Sequence, residues 1–302
     1  MRLETTDRIR IVGLDATDPL HREALARLEA RFTYDNPVYW DARRYRRPCR
    51  HIPRQIVLFE AEADGTVALP RGARTDVVAA LAGLPLEFVD RTVLPSASIP
   101  DLNGSLRDYQ EAAVAAASNA REGVIQAPTG SGKTVVAAAL AAHLKTPTLI
   151  LVHTSVLLEQ TAERIRDFLG IEPGRVGGGS ESWDLVTVAM VQTLLRRDLA
   201  PLRDRFGLVI LDEAHHCPAE TFKSVVQRFA ARYRIGLTAT PTRKDRLHPV
   251  LFDVVGPIMH RVAPRTLVAA GSIAPSQVVE VITAFKGRSE ERRVGKECRS
   301  RW

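Results

Sequence analysis

The octapeptide Ala127-Pro128-Thr129-Gly130-Ser131-Gly132-Lys133-Thr134 constrains this chain more than any other stretch. A short apolar run, Gly123-Val124-Ile125, precedes it. The Ala-, Val- and Leu-rich stretch from Gly132 to Leu144, free of Gly and Pro after Gly132, predicts a helix behind it. A strand, a glycine-containing turn and a helix N-terminus in that order make a concave site whose backbone N–H groups attract anions. Pro128, Thr129, Gly130, Ser131 and Gly132 supply the cradle. Lys133 is placed to reach the β- and γ-phosphates of a nucleoside triphosphate, and Thr134 to offer its hydroxyl to Mg²⁺. Ala127 departs from the usual pattern, which has glycine there.

A second element pairs with the first. Leu208-Val209-Ile210-Leu211 reads as a buried strand that ends in Asp212, putting a carboxylate at the carboxyl edge of a sheet, where α/β folds collect their ligands. Asp212 is expected to hold Mg²⁺ and Glu213 to orient and deprotonate the attacking water. Acids that merely cap an exposed strand end would explain neither the apolar run nor the pairing with the loop. The catalytic candidates are therefore Lys133, Asp212 and Glu213, the metal candidates Thr134 and Asp212, and the implied cofactors a nucleoside triphosphate, which the resemblance below makes ATP, and Mg²⁺.

Four further stretches fall around these two: Leu106-Arg107-Asp108-Tyr109-Gln110, the run Leu149 to Thr154 with Leu157 to Gln160, Thr187 to Leu194, and Gly236 to Arg243. Taken in order with the phosphate loop and the acidic motif, they resemble superfamily 2 helicases and translocases. The pattern is nearest the branch shared by XPB-like DNA repair helicases and type III restriction motor subunits. The resemblance implies that Arg107 and Gln110 recognise adenine. It implies nucleic-acid contacts from His153, Thr154, Gln192 and Thr193. Thr238, Thr240 and His215, the fourth residue of the acidic motif, would couple nucleotide state to movement. The implied function is an ATP-dependent DNA helicase or translocase in repair, restriction or defence, working on duplex or branched DNA beside a nuclease, methylase or primase. The alternative is an ATP-gated nucleic-acid-binding module without translocase activity.

Periodicity supports an α/β architecture independently. Apolar, β-branched runs at 148–152, 185–189, 208–211 and 234–237 alternate with helix-like stretches at 155–169, 191–199 and 219–231, which implies a parallel sheet covered on both faces. Residues 104–262 are thus expected to form one RecA-like P-loop domain. Gly170, Gly174 and the run Gly177 to Ser180 read as loop and turn; they open no Gly-Lys helix and make no second phosphate site. Ahead of the motor, residues 1–100 read as a small α+β domain. Its elements are an amphipathic helix over Asp18–Phe32 with Leu20, Leu25 and Leu28 to one side, a hairpin of Gln55–Glu60 and Thr66–Leu69 around Ala63-Asp64-Gly65, and a short helix over Val77–Leu84. Pro95, Ser96, Ser98, Pro100 and Asn103-Gly104 make the linker.

A motor of this kind needs a second RecA-like domain that supplies an arginine finger, and residues 263–286 read as the start of a connection to it, with a strand-like Gln277–Ile282. The isolated chain is accordingly expected to be nearly inactive. Residues 287–302 are polar and charged, are expected to be disordered, and resemble translated sequencing-adapter read-through, so they are set aside. That tail holds six basic and three acidic residues, leaving +4 of the chain's formal +7. Much of the remainder lies in Arg43, Arg44, Arg46, Arg47, Arg50 and Arg54, interleaved with Tyr34, Tyr39, Trp40 and Tyr45. Arginines pair with phosphates and aromatic rings stack on bases, so this cluster is a nucleic-acid candidate. Cys49, Cys217 and Cys298 show no paired spacing, which argues against a zinc site and fits a reducing cytoplasm. No segment has the ~20 apolar residues of a membrane span.

Overall fold

The computed structural model describes residues 1–213, 219–240, 247–272 and 274. The chain first builds β1 (Arg2–Thr5), β2 (Ile9–Val12), α1 (Pro19–Arg31), β3 (Thr33–Asp35), α2 (Pro37–Arg44), β4 (Gln55–Val57), β5 (Glu60–Ala61), β6 (Val67–Leu69), α3 (Arg74–Ala80) and β7 (Glu87–Asp90). There follow α4 (Asp108–Ala120), β8 (Glu122–Gln126), α5 (Lys133–Leu144), β9 (Thr148–Val152), α6 (Ser155–Leu169), β10 (Gly174–Gly177), β11 (Ser180–Glu181), β12 (Val186–Met190) and α7 (Val191–Leu194). The last group is β13 (Leu208–Asp212), α8 (Ala219–Val226), β14 (Tyr233–Thr238), α9 (His248–Val255), β15 (Ile258–Arg261) and α10 (Pro264–Ala269).

The larger sheet has the order β11-β10-β12-β9-β13-β14-β8-β15, and every pairing in it is parallel except that of the short edge strand β11. Its central strands are almost wholly buried because helices cover both faces. On one face α4, α5 and α6 pack through Ala113, Ala117, Leu140, Leu158 and Ile165; on the other α7, α8 and α9 pack through Leu194, Val225, Val226, Leu251 and Val254. The fold class is therefore α/β, with the second, smaller sheet ordered β5-β6-β2-β1-β7.

Several expected elements shift for identifiable reasons. In α1, Asp18 caps the amides of Leu20 and His21, and Ala24 and Leu28 carry the buried stripe. Leu20, expected on that stripe, overhangs at the helix start and is 59% exposed. The hairpin turn at Asp64-Gly65 forms, with Thr66 N donating to Asp64 Oδ1 at 2.9 Å, but it joins β5 to β6. The expected first strand splits: Gln55–Val57 pairs with β3 instead, and Leu58 N continues that ladder to Phe32 O at 2.9 Å. The helix expected over Val77–Leu84 starts at Arg74 and ends at Ala80, ahead of Gly83 and Pro85. Gly174–Gly177, read as loop, is a strand paired between β12 and the edge strand β11; Gly178-Gly179 makes the turn, and Gly170 caps α6 in the left-handed region. The expected strand Gln277–Ile282 and the tail 287–302 lie outside the described residues.

The two sheets are joined by buried charge. Arg71, 2% exposed, donates to the carbonyls of Thr6 (2.8 Å), Ala231 (2.7 Å) and Arg232 (3.2 Å) and pairs with Glu122 at 2.9 Å. Arg234, 1% exposed, donates to the carbonyls of Val254, Asp7, Val226 and Phe229 at 3.0–3.3 Å. Burial and the neighbouring Arg71 push its guanidinium down to about 9, still cationic at neutral pH. Five-donor guanidinium forks are suited to such carbonyl cages, and each unmade bond here would cost about 1–3 kcal/mol. Beside them, Arg31 reaches both oxygens of Asp253, to which Tyr34 also donates at 2.6 Å. Leu247 and Val250, at the start of α9, sit inside the core of the N-terminal part with Leu3, Ile11 and Leu28.

Asp7, on the β1–β2 turn, gives this junction a pH dependence. Burial pushes its carboxyl up, but hydrogen bonds and charge from Arg10 (3.1 Å), Arg203 (2.8 Å) and Thr6 (2.8 Å) outweigh that and hold it well below the usual carboxylate range. A depressed folded-state value stabilises above the ordinary 3.8 and is lost as pH falls below it. Asp7→Ala should lower the unfolding free energy at neutral pH by about 1–3 kcal/mol, allowing for the partial exposure of both arginines. Urea titrations of both proteins should show the gap narrowing below pH 3.8; a gap that stays constant with pH would refute the assignment.

Candidate functional site

The phosphate loop lies where β8 ends, between two neighbours that fix it. Ala127 N donates to Thr238 O at 2.9 Å, tying the loop's first residue to the end of β14. Ala127 has no positive φ, which is why alanine serves where glycine is usual. Gly130 and Gly132 do need glycine, at φ +82° and +77°. At Gly132 a Cβ would also stand 2.6 Å from Gln110 Nε2, so the loop and the start of α4 are in direct contact. Lys133 begins α5, and Thr134 follows in its first turn.

Lys133 Nζ pairs with Glu213 Oε1 at 2.9 Å, so the loop and the acidic motif meet in space as their chemistry requires. Asp212 ends β13, the strand two positions from β8, and Glu213 adopts a left-handed φ of +49° immediately after it. Such strain is uncommon for a long side chain and here turns Glu213 toward Lys133. Asp212 Oδ1 and Ser131 Oγ are buried with no hydrogen-bond partner among the described residues. Buried polar atoms seldom stay so unless a ligand or ion completes them. Thr134 and Asp212 also line one groove, with Thr161 and Arg164 of α6. A hydroxyl and a carboxylate on a shared groove, the latter with an uncommitted oxygen, fit a hard, oxygen-seeking cation such as Mg²⁺.

Gln110 takes a place that sequence reasoning did not foresee. It is 4% exposed; its Oε1 accepts from Arg107 N at 3.0 Å and its Nε2 donates to Ser131 O at 3.0 Å. Its amide braces the phosphate loop, and Tyr109 Oη adds a second bond to Ser131 O at 3.2 Å. Arg107, by contrast, is exposed at the rim.

The remaining candidates share the sheet's carboxyl edge. His153 and Thr154 follow β9, Gln192 and Thr193 follow β12, and the register pairs Val152 with Met190, so both segments emerge side by side. Thr154 Oγ1 caps α6 by accepting from Leu157 N at 3.2 Å. Gln192 and Thr193 share a hollow with Met190, Arg196 and Arg197. Arg197 pairs with Glu181 and Arg196 is exposed; neither stood out in the sequence because both lie past the recognised motif. Thr238 Oγ1 donates to Thr240 O at 3.1 Å. His215 lies outside the described residues. The arginine cluster stands apart on and after α2: Arg43, Arg44, Arg46 and Arg47 are exposed, Arg54 stacks on Trp40 at 5.2 Å and Arg47 on Tyr45 at 5.6 Å. Tyr34 does not join that surface, since Asp253 draws its hydroxyl inward. Among the described residues no group of three or more His, Cys, Asp or Glu side chains could hold a metal by themselves, and no helix is long and apolar enough to cross a membrane.

Residues 103–243 match the family described as type III restriction enzyme, res subunit. The chain is 37% identical over 206 residues to a DNA 3'-5' translocase, XPB2, of Sulfurisphaera tokodaii, a match spanning 68% of this chain and 46% of that protein. It is 35% identical to the DNA 3'-5' helicase XPB of Kineococcus radiotolerans over 59% of this chain and 33% of that one. The chain thus spans less than half the length of these curated relatives. Among solved structures, the UvsW helicase of Bacteriophage T4 matches 87% of this chain and 100% of its own with a TM-score of 0.63 at 19% identity, a likeness of fold.

Two outcomes follow from the geometry. Burial first, and then the charge of Glu213, push the Asp212 carboxyl up to about 6 against the pull of Lys133. A raised value favours the folded state below the ordinary 3.8, and that contribution is lost as pH rises through about 6. A cation needs the ionised form, so Mg²⁺-dependent nucleotide affinity should fall about tenfold per pH unit below about 6. Titration calorimetry with and without Mg²⁺ measures it, and a flat profile would count against Asp212 as ligand. Separately, Gln110→Ala should weaken binding of triphosphates of any base by roughly tenfold, because the loop loses one brace and α4 its cap. Loss of base discrimination alone, at full affinity, would show that the side chain reads the base instead.

Proposed function

The chain belongs to superfamily 2, in the branch shared by XPB-like helicases and type III restriction motors, and on that premise we propose that it is the ATP-binding core of a DNA translocase. The observation that carries the reading is the Lys133–Glu213 pair at 2.9 Å with Asp212 Oδ1, which has no hydrogen-bond partner among the described residues, beside it. These are a phosphate-binding cation, a carboxylate base and a metal ligand held at one sheet edge. In this reading the loop amides and Lys133 hold the β- and γ-phosphates, and Thr134 and Asp212 hold Mg²⁺, which offsets the charge of the transferred phosphoryl group when bound. Glu213 lies against Lys133; phosphate competes for the lysine and leaves Glu213 to orient the attacking water.

Coupling to nucleic acid rests on the shared edge. Thr238 O holds the amide of Ala127, so a displacement of the loop pulls on the Thr238–Thr240 turn. His153, Thr154, Gln192, Thr193, Arg196 and the arginines on and after α2 are the surfaces proposed to meet DNA, duplex or branched, with His215 completing the Asp212-Glu213-Ala214-His215 DEAH motif. Residues 1–100 are proposed as the DNA-positioning unit, 104–262 as the motor domain and 263–286 as the connection onward. A nuclease, methylase or primase companion in the cytoplasm would suit a motor of the restriction branch.

The test is direct. Lys133→Ala should abolish ATP–Mg²⁺ binding by the purified chain, since a charge-assisted contact contributes about 1.5–3 kcal/mol. Glu213→Gln should retain binding and remove whatever phosphate release the chain supports. Turnover by the 302-residue chain should stay slow and respond little to DNA, an arginine finger from a second domain being worth ~10³–10⁵ in rate. Equal ATP affinity in Lys133→Ala would overturn the reading.

A further inference from the structure

Ser272 stands beyond α10, outside every motif named above, yet it touches the rim of the phosphate loop. Arg107 Nη1 donates to Ser272 Oγ at 2.5 Å and to Tyr109 Oη at 3.0 Å. Tyr109 in turn donates to Ser131 O, and its hydroxyl lies 3.5 Å from Ser272 Oγ. The serine is itself held. Its amide donates to Leu267 O at 2.8 Å, and Leu267, in α10, is fully buried in the core shared with Tyr109 and Val136. Upstream, Val262 N donates to Gln126 O at 2.8 Å, at the end of the strand that leads into the loop.

An exposed arginine ordinarily gives up roughly 2 kcal/mol of rotamer freedom to hold one pose, which weakens any recognition it performs. Here two hydroxyls fix one terminal nitrogen of Arg107, while its Nη2 and Nε carry no bond to a described residue. A nucleotide whose phosphates occupy the loop leaves its base near the rim, where Arg107 is exposed at the start of α4 while Gln110 Nε2 is taken up by Ser131 O. A guanidinium so aimed donates to ring nitrogens and carbonyl oxygens of a base and distinguishes bases by where those acceptors lie.

We propose that Ser272 is a positioning residue for base selection: it holds the Arg107 guanidinium over the base edge and makes that selection depend on the docking of the α10 segment. The proposal rests on the reading of residues 127–134 as a nucleotide site. Three probes separate the terms: ATP, CTP and inorganic tripolyphosphate, each titrated calorimetrically against the full chain. Ser272→Ala should reduce the preference for ATP over CTP by about fivefold, the usual worth of one hydrogen bond, and leave tripolyphosphate affinity unchanged. Ser272→Thr, which restores the hydroxyl, should recover the preference. If Ser272→Ala keeps the preference while Arg107→Ala loses it, Ser272 has no positioning role and the base site stands. If Ser272→Ala tightens ATP and CTP alike, the serine competes with the base and the proposal is overturned. Unchanged tripolyphosphate affinity in Lys133→Ala would instead remove the nucleotide site on which the proposal stands.

Discussion

A backbone hydrogen bond from Ala127 N to Thr238 O closes the seam between β8 and β14, and the arrangement of the site hangs on it. Because β8, β14, β13, β9 and β12 are all parallel, their carboxyl ends fall on one edge. From that edge issue, in spatial order, the phosphate loop, the Thr238–Thr240 turn, Asp212-Glu213, His153-Thr154 and Gln192-Thr193. Residues more than a hundred positions apart meet there because parallel strands with crossover helices leave them no other place to emerge. The antiparallel exception, β11, is the outermost strand and far from this chemistry.

How legible this was in the sequence depended on how local the signal is. The larger sheet was readable because strands buried on both faces are nearly continuous apolar runs; β9, β13 and β14 lie almost where those runs stand. Strand β10 was not, since three of its four residues are Gly, Arg and Gly and only Val176 signals burial through its side chain. In the N-terminal part, β1 and β2 are four residues each and carry too little alternation to stand out, and β4 left its expected hairpin because β3 offered a better ladder.

At the site, the position of the loop ahead of α5 and of Asp212 at the end of β13 was readable from residue type and spacing alone. The brace from Gln110 was not, because a residue that faces a ligand and one that faces the loop look alike until the fold is known. Nor was the inward turn of Tyr34, whose partner Asp253 lies 219 positions away. Arg71 and Arg234 escaped entirely. Arginine is the last residue a periodicity argument would bury, and both are buried only because backbone carbonyls converge on them from the β1–β2 turn and from the segments around β14, α8 and α9.

The crowding at Gly72 carries a consequence for how such proteins can be recombined. A Cβ there would stand 2.2 Å from the backbone nitrogen of Gly256 and 2.5 Å from Phe252 O, so two backbones touch with no side chain between them. Leu247 and Val250 meanwhile belong to the opposite core. The N-terminal unit is therefore not a cassette that could be grafted onto another parallel-sheet domain. A transplanted unit would need a glycine at the same point and a helix whose first turn fits its own interior, and shuffled chimaeras cut near residue 100 would fail at the seam.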